Sequence, residues 1–189
     1  MKRVVLTLFI IIASLYSASA ISLLDTIERT LAQMGAYSVE LTVSVDSNSM
    51  KYYYIIDGEN CYVQSQGFEL FVADGLAYEV NSDKREVVLN SADFYTKDDV
   101  LLNPTRLCTY LKQNYTATDC EQGLRLTPVQ GTHSILLQPD NSGKLPYKII
   151  YSESGAEITV QFSSIEPYNE PLPRFDMGKY AEYELVDMR

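Results

Sequence analysis

The chain has 189 residues, with 15 Lys and Arg against 25 Asp and Glu, a single His, and a formal net charge of −10. With no basic run or stripe, that balance excludes nucleic acid and anionic lipid head groups as electrostatic partners. No second long apolar stretch follows the N-terminal one, so no later segment reads as a membrane-spanning helix.

Lys2 and Arg3 precede an apolar run from Val4 to Ile12 and on to Leu15, and Ala18-Ser19-Ala20 offers small residues at the cleavage positions. This is the pattern of a secretory signal peptide over residues 1–20, shorter than the roughly 20 apolar residues a spanning helix needs. Cleavage after Ala20 is expected. Ile21, not Cys, follows it, so the mature N-terminus carries no lipid and the product is expected to be soluble. Residues 21–189 are then one domain, two charges more negative than the whole, and long enough for a real core.

From Ser22 to Met34, Leu23, Leu24, Ile27, Leu31 and Met34 recur at helical steps, and Gly35 offers the stop. Val39, Leu41, Val43 and Val45 then alternate with polar residues, the period of a strand with one buried face. Asp46-Ser47-Asn48-Ser49 reads as a turn. A meander follows, in which Tyr52–Ile56, Cys61–Val63, Phe68–Val72, Leu76–Val80 and Glu86–Leu89 are separated by Asp57-Gly58, Gly67 and Asp74-Gly75.

Asn103-Pro104 supplies a cap and a first-turn proline for a second helix running to about Asn114. Strands are expected again at Leu124–Leu126, His133–Leu137, Lys148–Tyr151 and Glu157–Phe162, the last two forming a hairpin. The tail from Pro167 to Pro173 holds three prolines and reads as an extended covering segment before a short strand around Phe175. The sum is an α+β chain, mainly antiparallel β, with two helices. A sheet of so many strands curls and encloses apolar space. Fifteen Tyr, six Phe and no Trp fit half-exposed strand faces first, since exposed strand Tyr is common, and a cavity lining that satisfies a ligand's polar end second.

Cys61, Cys108 and Cys120 are odd in number. Cys108 and Cys120 are the pair placed for a possible disulfide, and Cys61 sits in a strand. Their spacing matches no zinc pattern, and His133 alone cannot complete one, so no metal is expected. No Gly-x-Ser-x-Gly, Walker loop, His-Glu-x-x-His or Cys-x-x-Cys occurs, and His133 beside Ser134 reads as an ordinary strand side chain. Neither an enzyme nor a cofactor is expected.

In this element order, Tyr37–Val43, Phe71–Val80, Arg85–Leu89, Leu145–Ile149, Gly155–Glu166 and Phe175 resemble the LolA-like family of periplasmic lipoprotein carriers, across most of residues 21–189. The resemblance implies an incomplete β-barrel, or strongly curved sheet, with helices covering its mouth over a cavity for acyl chains. It implies a monomeric periplasmic carrier in a Gram-negative envelope, taking acyl chains of outer-membrane lipoproteins or other lipid, with docking proteins at the inner and outer membranes. A fold relative that binds protein partners in envelope sensing, with no lipid, is the alternative.

In the family a strand after the first helix bears an Arg. Here the corresponding Asp46–Tyr53 stretch has only Lys51 as a basic residue. If the sheet curls over the helix, Leu24, Ile27 and Leu31, with Leu41, Val43, Val45, Phe71, Ile158, Val160 and Phe162, are expected to line the cavity, and Lys51 to mark its polar mouth.

Overall fold

The computed structural model describes residues 23–93 and 104–189, with side chains in the second segment from 107 onward. The signal-peptide stretch, Ile21, Ser22 and the Asn103 cap lie outside the described residues. Helix α1 (residues 23–34) buries Leu24, Ile27 and Leu31, each at 2% exposure or less, and stops where Gly35 takes a positive φ of 70°. Helix α2 (Pro104–Asn114) buries Cys108 and Leu111 in the same cluster. Lys112 on α2 donates to Asp25 at 2.9 Å and to Glu28, and Thr109 donates to Glu28 at 2.9 Å, which fixes the two helices side by side.

Among the described residues twelve strands form one sheet: β1 (Tyr37–Val45), β2 (Asn48–Asp57), β3 (Asn60–Ser65), β4 (Phe68–Ala73), β5 (Leu76–Asn81), β6 (Glu86–Ser91), β7 (Tyr115–Cys120), β8 (Gly123–Pro128), β9 (Ser134–Pro139), β10 (Pro146–Glu153), β11 (Ala156–Pro167) and β12 (Glu184–Asp187). Their order is β12-β6-β5-β4-β3-β2-β1-β11-β10-β9-β8-β7. All neighbours are antiparallel except β12, which lies parallel to β6. The end strands β7 and β12 do not pair, so the sheet is unclosed.

One core cluster joins both helices to Val63, Leu70 and Val72 from one half of the sheet and to Leu124, Leu126 and Leu137 from the other. Both halves can reach the same helices only if the sheet curls around them. Two bulges assist. Glu40 and Leu41 face Ser164 and Phe162, leaving Ser163 over, and Pro146 and Lys148 face Pro139 and Gln138, leaving Tyr147 over. An extra residue bends its strand and increases the local twist.

The other face of the meander has its own cover. Tyr168, Leu172, Phe175, Tyr180 and Tyr183 pack on Ile55, Tyr62, Phe71, Val80 and Val87. Residues 168–183 thus form a strap over the outer face, as the prolines suggest. Phe175, however, lies in no strand. Its ring stacks on Tyr78 at 4.1 Å and on Tyr180 at 5.4 Å, and the last strand is β12. Strand β7 is a further departure from the sequence reading: Tyr-Thr-Ala-Thr-Asp-Cys is mostly polar because it is an edge strand with little to bury.

Candidate functional site

The concave face divides into a filled part and an open part. Leu24, Ile27 and Leu31 fill the space against Tyr37, Val39 and Ile56, and Leu41 and Phe162 are partly buried against the same cluster. Beyond Leu41 the inner side chains run out from under the helices. Register defines two apolar rows there. One runs Met50, Val43, Val160, Ile149, Leu137 across β2, β1, β11, β10 and β9. The other runs Val45, Ile158, Tyr151, Ile135 from β1 to β9.

Exposure rises along both rows. Leu137 is 3% exposed, whereas Met50 is 46% and Val45 40% exposed. Val43, Ile149, Tyr151, Ile158 and Val160 lie between these limits as half-buried side chains. The result is an apolar floor continuous with the core at β8 and β9 and open at the β1–β2 hairpin. Val43, Val45, Ile158 and Val160 are therefore brought together as the alternation in β1 and β11 requires. Met50, Ile149 and Tyr151 belong with them and escape the sequence reading, although the strand at Lys148–Tyr151 carries the needed alternation.

Two expected site residues are placed elsewhere. Phe71 lies on the outer face with Tyr62, Phe175 and Tyr180, because Leu70 and Val72 take the inner positions of β4. β4 carries a large apolar side chain on its second parity too, Phe71 next to Glu69, since the strap buries that face. Lys51 pairs with Thr42, one step out of phase with Leu41 and Val43, and so faces outward. It lines an open polar groove of about 430 Å³ with Glu40, Thr42, Tyr53 and Gln64, on the side opposite the floor.

At the β9 and β10 end of the floor, Tyr115 Oη and His133 Nε2 are 2.7 Å apart, and Tyr151 donates to Glu153 at 2.7 Å. His133 sits just before β9 and is half-buried. Among the described residues no group of His, Cys, Asp and Glu converges as metal ligands do.

Cys61, Cys108 and Cys120 are all free thiols. The suggested Cys108–Cys120 link is not formed: Cys108 points into the core cluster, while Cys120 is half-buried opposite Gly123 at the β7–β8 hairpin. Burial pushes the Cys61 and Cys108 thiols up to about 11. Since the thiolate is the nucleophile, an aromatic disulfide reagent at neutral pH should titrate Cys120 quickly in the reduced native protein, and the other two only on unfolding. Simultaneous reaction of two or more thiols would contradict this burial.

No protein-family model matches the chain, and no curated protein matches it in sequence. Among solved structures it is similar to an uncharacterized conserved protein from Thermus thermophilus, at a TM-score of 0.52 and 8% identity, covering 89% of this chain and 99% of that one. It is also similar to LprF from Mycobacterium bovis, at a TM-score of 0.48 and 12% identity, covering 84% of this chain and 97% of that one. A LolA superfamily protein from Nitrosomonas europaea is similar at a TM-score of 0.38 and 11% identity, covering 80% and 94%. At such identities the likeness is one of fold. The unclosed, mostly antiparallel sheet with helices against its concave face is the strongly curved sheet expected from the sequence.

Proposed function

We propose that the protein is a carrier or binding protein of the cell envelope that takes up acyl chains reversibly on the apolar floor, those of lipoproteins among them. The observation that carries the reading is the pair of apolar rows crossing from β1 to β9, buried at one end and open at the other. An acyl chain gains roughly 0.8 kcal/mol for each CH₂ moved from water onto such a surface, so binding needs no covalent step. Release needs only a destination that buries the chain better. The acidic surface keeps the empty carrier away from anionic membranes. Export with cleavage after Ala20 belongs to the same proposal, and N-terminal sequencing of the exported protein should begin at Ile21.

The test is titration with an uncharged fluorescent acyl ester. Val160→Glu places a charge in the middle of the floor and should weaken binding at least about tenfold, the equivalent of 1.4 kcal/mol. Gln161→Glu, on the next residue but the outer face, should leave binding unchanged. A parent protein that binds no probe, or equal losses in the two variants, would defeat the reading and leave a protein-binding role ahead.

A further inference from the structure

We propose that Tyr115, His133, Tyr151 and Glu153 form the head-group end of the floor, and that they favour an acyl chain with an uncharged ester or amide head over a free fatty acid. The inference rests on the acyl-carrier reading and adds to it the polar half of the ligand.

The second apolar row leads directly into this cluster, since Ile158 pairs with Tyr151 and Tyr151 with Ile135. The His133 ring stacks on Tyr151 at 5.1 Å and meets Tyr115 edge-on at 5.5 Å. Tyr110 extends the ladder of rings, 6.1 Å from Tyr115, and is 41% exposed. An acyl chain lying along Val45 and Ile158 therefore ends against rings that carry polar atoms.

Those atoms offer a definite pattern. A neutral imidazole has one N–H and a phenol one O–H, and the bond between Tyr115 and His133 uses one of the two hydrogens. If Tyr115 donates, His133 keeps an N–H at Nδ1; if His133 donates, Tyr115 keeps its O–H. The Tyr110 phenol also hydrogen-bonds Tyr115, so across the three groups three hydrogens serve two bonds and one donor remains for a ligand carbonyl in either tautomer. Burial and the neighbouring Tyr110 phenol raise the Tyr115 pKa, which keeps its proton in place.

Charge at the same place is negative. Glu153 is exposed and holds the Tyr151 hydroxyl. The two rows of the floor contain no Lys or Arg, and Lys51, Lys148 and Arg125 alternate to the other face. Lys112 is committed to Asp25 and Glu28 on α1. Among the described residues Glu153 has no ion-pair partner, so a carboxylate head is repelled there, whereas an ester or amide carbonyl meets a donor, and a nearby hydroxyl or N–H of the ligand can reach Glu153.

The experiment displaces the uncharged fluorescent acyl ester from the full protein with 1-monopalmitoylglycerol or with palmitate, at pH 8 and below their aggregation limits. Monopalmitoylglycerol should displace the probe at about tenfold lower concentration, the size of effect one unfavourable charge contact or one lost hydrogen bond produces. Glu153→Gln should narrow the gap by strengthening palmitate. His133→Phe and Tyr115→Phe, which keep the rings, should narrow it by weakening monopalmitoylglycerol. Palmitate competing as well as the ester in the parent, or a ratio unmoved by both Glu153→Gln and His133→Phe, overturns the proposal. Probe binding that neither competitor displaces overturns the head-group site and spares the floor. No probe binding at all overturns the floor and this proposal with it.

Discussion

Gly123→Ala should lower the unfolding free energy by about 3 kcal/mol, at the upper end of what single substitutions do. Gly123 opens β8 with a φ of +134°, and a Cβ there would sit 2.3 Å from the Leu137 carbonyl oxygen and 3.1 Å from Gln138 Cα. Both are backbone atoms of β9, so no side chain can swing aside. The strands must separate, and Leu124 and Leu126, fully buried, lose their fit against Leu137 and Ile135. Gly58→Ala is the control: its φ is +60° and nothing lies within 4 Å of the added carbon, so only the left-handed backbone cost of about 1 kcal/mol remains. Urea unfolding followed by tyrosine fluorescence gives both values. Equal losses at the two glycines would mean that β8 and β9 are not packed this closely.

The same strands show how far the sequence could be read. Helix α1 and strand β1 were legible because each has one buried face, and a single apolar period then names both the element and its inward residues. Leu24, Ile27 and Leu31 lie in the core, and Leu41 partly buried against it, for that reason. The meander was legible as strands but not as faces. Phe68-Glu69-Leu70-Phe71-Val72 carries large apolar side chains on both parities, with Glu69 beside Phe71, and only the strap, packed from more than a hundred residues away in the chain, explains why Phe71 is outside. Lys51 failed on the same step: it lies within β2, ahead of the strand expected from Tyr52, and one residue of register decides between floor and groove. Met50 was hidden by a turn read as Asp46 to Ser49, whereas β2 begins at Asn48. The polar end of the site was the least legible, since Tyr115 and His133 meet only after β7 and β8 have paired.

Glu69→Ala should cost about 3 kcal/mol at neutral pH, because it removes the charged acceptor of two hydroxyls, and each hydrogen bond to a charged group contributes about 1.5–3 kcal/mol before solvent screening. Glu69 on β4 accepts from Tyr62 at 2.7 Å and from the strap's Tyr180 at 2.6 Å, with Lys179 Nζ at 3.5 Å. Burial alone would raise the Glu69 pKa, but the Tyr180 and Tyr62 hydroxyls and the Lys179 charge outweigh it and hold the carboxyl below its ordinary 4.5. A lowered folded-state pKa means that the ionised form stabilises the fold. That contribution is complete above pH 4.5 and is lost as pH falls through the lower, folded value. Glu69→Gln keeps the shape and one acceptor oxygen while removing the charge, so it should be less stable than the parent at pH 7, and the difference should be smaller at a pH well below 4.5, where the carboxyl takes up its proton. Urea midpoints at the two pH values measure this, and the near-ultraviolet dichroism of the stacked Tyr78, Phe175 and Tyr180 rings reports whether the strap is what loosens. A gap that stays constant or widens at low pH would remove Glu69 as the clasp. The strap would then be held by ring stacking and by the Arg174–Asp74 and Arg85–Glu182 ion pairs at its two ends.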